Sequence, residues 1–162
     1  MPASLILLAL MAGPPRPAAA PVFVKTLPVA GWTLVVRLDS FSGRASCRLG
    51  RPGIGYGRHA LTLRLPGRPD TAGAVYRIDD AAPTAARDDD MELARLGFAL
   101  HADDLANPSG GVVRIPERRL ADARVVAVRA RPGKPFVEFR IDGLPAALDK
   151  ARAEGCSEGS FD

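Results

Sequence analysis

From Gly31 onward apolar and polar side chains alternate, with Trp32, Leu34, Val36 and Leu38 on one side of an extended chain and Thr33, Val35, Arg37 and Asp39 on the other. A period of two with one apolar face marks a half-buried strand and places Trp32 at the start of the core. Asp39-Ser40-Phe41-Ser42-Gly43 supplies turn chemistry, because Asp bonds its own backbone and Gly accepts a positive φ; the chain then returns through Ala45, Cys47 and Leu49, which predicts a hairpin. Residues 50–57 (GRPGIGYG) read as a turn-rich link. The next alternation runs from Ala60 to Leu65 and stops at Pro66-Gly67. Residues 74–78 (AVYRI) form another strand, and the short connection between the two predicts that they pair as antiparallel neighbours.

Residues 81–90, rich in alanine and acid, predict an exposed loop. Residues 91–100 (MELARLGFAL) fit either a short helix or a buried strand; Gly97 weakens the helix, and a strand is the reading adopted. Residues 101–111 carry the loop signal Asn107-Pro108-Ser109-Gly110-Gly111. Further strands are expected at residues 112–115, 124–129 and 136–141. The last element is a helix over about 143–154. Asp142 or Gly143 can cap it, Pro145 suits its first turn, Leu144, Ala147, Leu148 and Ala151 share one face, and Gly155 closes it. These elements predict an all-β fold, a β-sandwich of antiparallel strands, with one C-terminal α-helix packed on it.

The 162 residues are 47% hydrophobic and 25% charged, a composition that excludes a disordered chain, a collagen or a coiled coil. With 16 Gly and 15 Pro, long helices are disfavoured. Residues 1–20 read as a secretory leader: Leu5 to Ala12 (LILLALMA) is too short an apolar run for the roughly 20 residues of a spanning helix, and the small residues Ala18-Ala19-Ala20 follow. No Lys or Arg precedes that run. Residues 21–162 are then one domain, periplasmic or secreted, without a transmembrane segment. The formal charge of +4 is nearly balanced, the arginines come with an alanine-rich composition, and only nine aromatics are present, so a nucleic-acid partner is not expected.

Cys47 and Cys156 are an even pair in a chain read as exported, which favours one structural disulfide; free thiols and a redox pair are the alternatives, the latter against the usual C-x-x-C spacing. Three groupings invite chemistry. Gly53-x-Gly55-x-Gly57 is not a nucleotide-binding fingerprint, but Arg48, Arg51, Arg58 and His59 around it make a candidate anion site. Asp88-Asp89-Asp90 with Glu92 lacks the calcium-loop pattern, since Leu93 and Ala99 stand where Gly and Glu belong, and reads as a solvated acidic loop. His101, Asp103 and Ser109 contain the residue types of a hydrolytic triad without its motif. Neither a metal nor a cofactor is expected, and no catalytic residue is assigned.

The order Trp32, Asp39-Ser40-Phe41-Ser42-Gly43, Cys47, then Phe139-x-Ile141-x-Gly143-Leu144-x-x-Ala147-Leu148 and Gly155-Cys156 resembles small exported proteobacterial proteins related to the invasion-associated locus B family. The likeness covers residues 30–50 and 136–156. It implies a periplasmic, disulfide-bearing β-sandwich without established enzymatic activity, linked to host interaction or the envelope, and it offers no catalytic residues to carry over. The leading expectation is therefore a non-enzymatic domain that binds an envelope protein or polymer. The alternatives are a periplasmic enzyme or enzyme inhibitor using residues 50–59, and an accessory protein of a secretion apparatus.

Overall fold

The computed structural model describes residues 22–98 and 110–161, and the first elements among them are a hairpin of β1 (Val22–Val29) and β2 (Trp32–Asp39). The sheet continues through β3 (Ala45–Arg51), β4 (Ile54–Gly57), β5 (Ala60–Arg64) and β8 (Val112–Pro116), in the order β1-β2-β3-β4-β5-β8. A second sheet has the order β10-β9-β6-β7, from β6 (Val75–Ile78), β7 (Thr84–Ala85), β9 (Val125–Arg129) and β10 (Val137–Arg140). Every pairing within both sheets is antiparallel. One core joins them: Leu34, Leu49, Leu61 and Ile115 of the larger sheet meet Tyr76, Val126, Val128 and Phe139 of the smaller. The expected all-β sandwich is the observed architecture.

The expected C-terminal helix is α2 (Leu144–Ala153), and the four residues of its predicted stripe are the four it buries. Gly143 precedes it at φ +80°, in the left-handed region, and Gly155 follows at +85°. A Cβ on Gly143 would stand 2.6 Å from the carbonyl oxygen of Ala30 in the β1–β2 turn, whereas one on Gly155 meets nothing within 4 Å. Gly143→Ala therefore combines left-handed strain with a backbone clash and should cost about 2–4 kcal/mol, against about 1–2 for Gly155→Ala. Urea unfolding of the two variants checks this; equal losses would remove the role given to the Ala30 contact. At its other end α2 is tied to the edge strand, since Glu154 accepts from Lys25 Nζ at 2.6 Å and pairs with Lys150 Nζ at 2.8 Å. Those bonds, Lys150 first, hold its carboxyl below the usual range.

Cys47 and Cys156 are joined in a disulfide that ties β3 to the segment after α2, as the paired-cysteine reading has it. Several other expectations are corrected. Residues 50–57 are not only a link, because β4 lies within them and buries Ile54 and Tyr56 in alternation with Gly55 and Gly57. The strand begun at Gly31 has a partner before it, β1, whose core-facing positions include Lys25, so its alternation is masked. The segments around Ala60 and Val75 are not neighbours. β5 takes β8 on its free side and β6 joins β9, because Gly67 and Arg68, both at positive φ, turn the chain across, and Thr71 Oγ1 anchors it by donating to the Val112 carbonyl. Of residues 81–90, expected as an exposed loop, 81–83 are one, but the rest form β7, a 3-10 turn over Ala86–Asp89 and the start of α1 (Asp90–Arg95).

The strand adopted for residues 91–100 is thereby overturned up to Phe98. Leu93 is buried while Met91, two positions away on what would be the same strand face, is 71% exposed, which is helical placement. The leader at residues 1–20 and His101, Asp103 and Ser109, with the loop up to Ser109, lie outside the described residues. No helix among the described residues is long and apolar enough to cross a membrane.

Candidate anion-binding trough

Strand pleating sends alternate residues to the two faces of the larger sheet, and its core-facing side is closed by the second sheet and α2. The other face carries Arg37 on β2, Arg48 on β3, Arg64 on β5 and Arg114 on β8; Asp39, at the end of β2, is the acidic residue among the described strand positions of that face. Asp39 is itself occupied. Its carboxylate accepts the N–H groups of Phe41 and Ser42 at 2.8 and 3.2 Å, and these bonds lower its pKa. The face is therefore electropositive although the chain as a whole is close to neutral.

The register explains why this face is concave. Thr33, Gly50, Gly55, Thr62 and Arg114 stand opposite one another across five strands, so the middle of the row has no side chains. A cavity of about 510 Å³ opens over these glycines; Arg48, Arg58, Arg64 and Arg114 line it with Thr62 and Phe98, and no carboxylate does so among the described residues. Burial first, then the charge of Arg64, lowers the pKa of Arg114. An anion in the trough relieves that repulsion. Phe98 forms one wall, with the Arg58 and Arg114 guanidinium carbons 5.8 and 5.3 Å from its ring centroid.

Arg58 reaches the wall because of an unusual turn. The two-residue link between β4 and β5 is Arg58-His59, at φ +48° and +56°, where Asn-Gly is the ordinary choice. Two L-residues with Cβ atoms held left-handed cost roughly 1–2 kcal/mol each. The strain is offset by what the two side chains reach on opposite sides: Arg58 Nη1 donates to the Gly97 carbonyl at 3.2 Å, and His59 Nδ1 lies 2.7 Å from Glu117 Oε2.

Of the four residues singled out from sequence, Arg48 and Arg58 meet in the trough. Arg51 touches its rim, but its guanidinium donates to the carbonyls of Arg140 and Asp142 at 2.8 and 2.9 Å and lies 4.6 Å from the Trp32 ring centroid. It is a framework residue that joins β3 to the start of α2. His59 belongs to a separate recess of about 180 Å³, where Glu117 also accepts the Tyr56 hydroxyl at 2.5 Å. Arg64, Arg114, Phe98 and the glycine floor were not singled out. Arg64 and Arg114 stand on predicted strands, yet only the pairing of β4 with β3 and β5 brings Arg64 onto the trough, and only the pairing of β5 with β8 adds Arg114.

The acidic segment is not a solvated cluster. Asp89 and Asp90 are buried; Asp89 accepts from Tyr76 Oη and from Arg119 Nε, and Glu92 accepts from Arg118 Nε. Comparison with protein-family models, curated proteins and solved structures finds no match to the chain.

Proposed function

We propose that this chain is a non-enzymatic, exported binding domain of the bacterial envelope, and that it holds an anionic envelope polymer or protein in the arginine-lined trough. The observation that carries the reading is a concave sheet face lined by Arg48, Arg58, Arg64 and Arg114 around a glycine floor, with no acidic side chain in its described lining. Guanidinium groups bind carboxylate, sulfate and phosphate through paired N–H donors, and a concave low-dielectric wall strengthens each contact. Export is supported by the apolar run Leu5 to Ala12 and by the disulfide, which persists in oxidising compartments. The likeness of residues 30–50 and 136–156 to the invasion-associated locus B family points to the same compartment.

An enzyme reading would draw on His59 and Glu117, but Glu117 Oε2 receives both Tyr56 and His59, and the Glu117 N–H donates to the His59 carbonyl at 2.7 Å. That set ties the strained turn to the end of β8. The test is retention on immobilised heparin, a sulfated polysaccharide. The wild type should be retained and released by salt, because salt screens exposed charge pairs. Arg48→Gln/Arg64→Gln should bind about a hundredfold more weakly, about tenfold for each lost guanidinium contact. Unchanged retention of the double variant would sink the assignment.

A further inference from the structure

We infer that the trough takes a linear acidic polysaccharide laid across the strands and seated on the main chain of β4 at Gly55. This inference rests on the anionic-ligand reading above and names its ligand class. Gly50 and Gly55 face each other in the floor, yet they are glycine for different reasons. A Cβ on Gly50 would stand 2.8 Å from the Ile54 carbonyl oxygen, so packing excludes a side chain there. Gly55 has no positive φ, and a Cβ on it meets nothing within 4 Å. Neither strain nor space calls for glycine at that position. Glycine weakens a strand interior, and in this setting it marks a place where another molecule approaches the backbone closely.

The charges show the shape of that molecule. β3 and β5 both run antiparallel to β4 and therefore parallel to each other. Arg48 precedes Gly50 by two residues and Arg64 follows Thr62 by two, so they flank the Thr33–Gly50–Gly55–Thr62–Arg114 row on opposite sides, each about 7 Å along its strand. Arg58, beyond Gly57, stands on the side of Arg48, and Arg114 ends the row. Four inter-strand steps of about 4.8 Å make the row about 19 Å long. Charges spread along both banks of a track that long fit a chain carrying repeated acidic groups; a lone anion needs donors that converge on one point. Thr62 and the strand backbone offer hydrogen bonds to sugar hydroxyls. A single-stranded nucleic acid calls for successive aromatic platforms, and Phe98 is the aromatic wall among Arg58, Arg64 and Arg114.

The experiment is a calorimetric titration of the disulfide-intact protein with inorganic sulfate, a sulfated heparin disaccharide, progressively longer heparin oligosaccharides and a single-stranded oligonucleotide. Affinity should rise by at least about tenfold from the disaccharide to a chain spanning the row, and then level off. Gly55→Val, which fills the floor without backbone strain, should lower affinity for the long chain by at least about tenfold while leaving the unfolding midpoint no lower than wild type. Gly55→Ala should fall between the two. If the disaccharide and the long chain bind alike and Gly55→Val binds as wild type does, the linear seat is overturned while the basic trough stands. If the oligonucleotide matches the longest oligosaccharide and loses as much with Gly55→Val, the polysaccharide assignment is overturned. If no anion binds the wild type, both the inference and the reading beneath it fall.

Discussion

Cys47→Ala/Cys156→Ala should lower the free energy of unfolding by about 3–5 kcal/mol, a large part of the roughly 5–15 kcal/mol that holds an ordinary domain. The bond closes a separation of 109 residues, so the unfolded chain without it gains the entropy of a long open loop. Both cysteines are buried, and the tail after Cys156 adds structure to the same place: Phe161 bridges to Cys47 and packs edge-on against Tyr56 at 5.4 Å. Cutting the bond therefore loosens the end of α2 and the wall of the His59 recess together. Urea midpoints are the readout, taken for the double variant and for the wild type with and without reductant. The reduced wild type isolates the covalent constraint from the small cavity that alanine leaves. A reduced wild type unfolding at the oxidised midpoint would show that the link contributes no stability.

The strands that alternate cleanly were legible because their residue types carry their burial: Trp32, Leu34 and Val36 on β2, Leu61 and Leu63 on β5, Phe139 on β10 with Ile141 just after it. α2 was legible for the same reason at the other period. β4 was not, because Gly55 and Gly57 occupy its solvent-side positions and make a strand look like a turn. α1 was obscured by a different effect. Its acids resemble a solvated run until Arg118 and Arg119, some 30 positions away, come into place beside Asp89.

The candidate site was half visible for a related reason. Arg48 and Arg58 lie within ten residues of each other, and a local reading collects them. Arg64 and Arg114 are separated by fifty positions, and they meet only because β8 returns to pair with β5 rather than with its predecessor in sequence. Arg51 shows the converse error. Proximity along the chain grouped it with the anion site, but it sits opposite buried Ile54 on the core-facing side of β3, where it is drawn to the Trp32 ring and the carbonyls before α2. An arginine's role here is decided by the face it occupies.

The Asp89 cluster predicts the second large effect. Its side chain is fully buried, with Arg119 Nη2 at 3.0 Å, Arg118 Nη2 at 3.6 Å and the Tyr76 hydroxyl bonded to it. Burial, and then the bond to Asp89, raise the pKa of Tyr76, so the phenol stays a donor throughout the physiological range. Asp89→Ala leaves that hydroxyl buried without its acceptor and takes the carboxylate partner from Arg119. The expected loss is about 2–4 kcal/mol, below the roughly 3–5 of a fully buried pair because Arg119 is partly exposed and water screens part of its charge. Tyr76→Phe removes only the donor, leaves the arginines on the carboxylate, and should cost about 1 kcal/mol. Asp89→Asn keeps the volume and one acceptor but not the charge, and should fall between them. Urea unfolding of the three variants gives the order. If Tyr76→Phe costs as much as Asp89→Ala, the phenol rather than the arginine pair anchors the turn before α1 to the sheet.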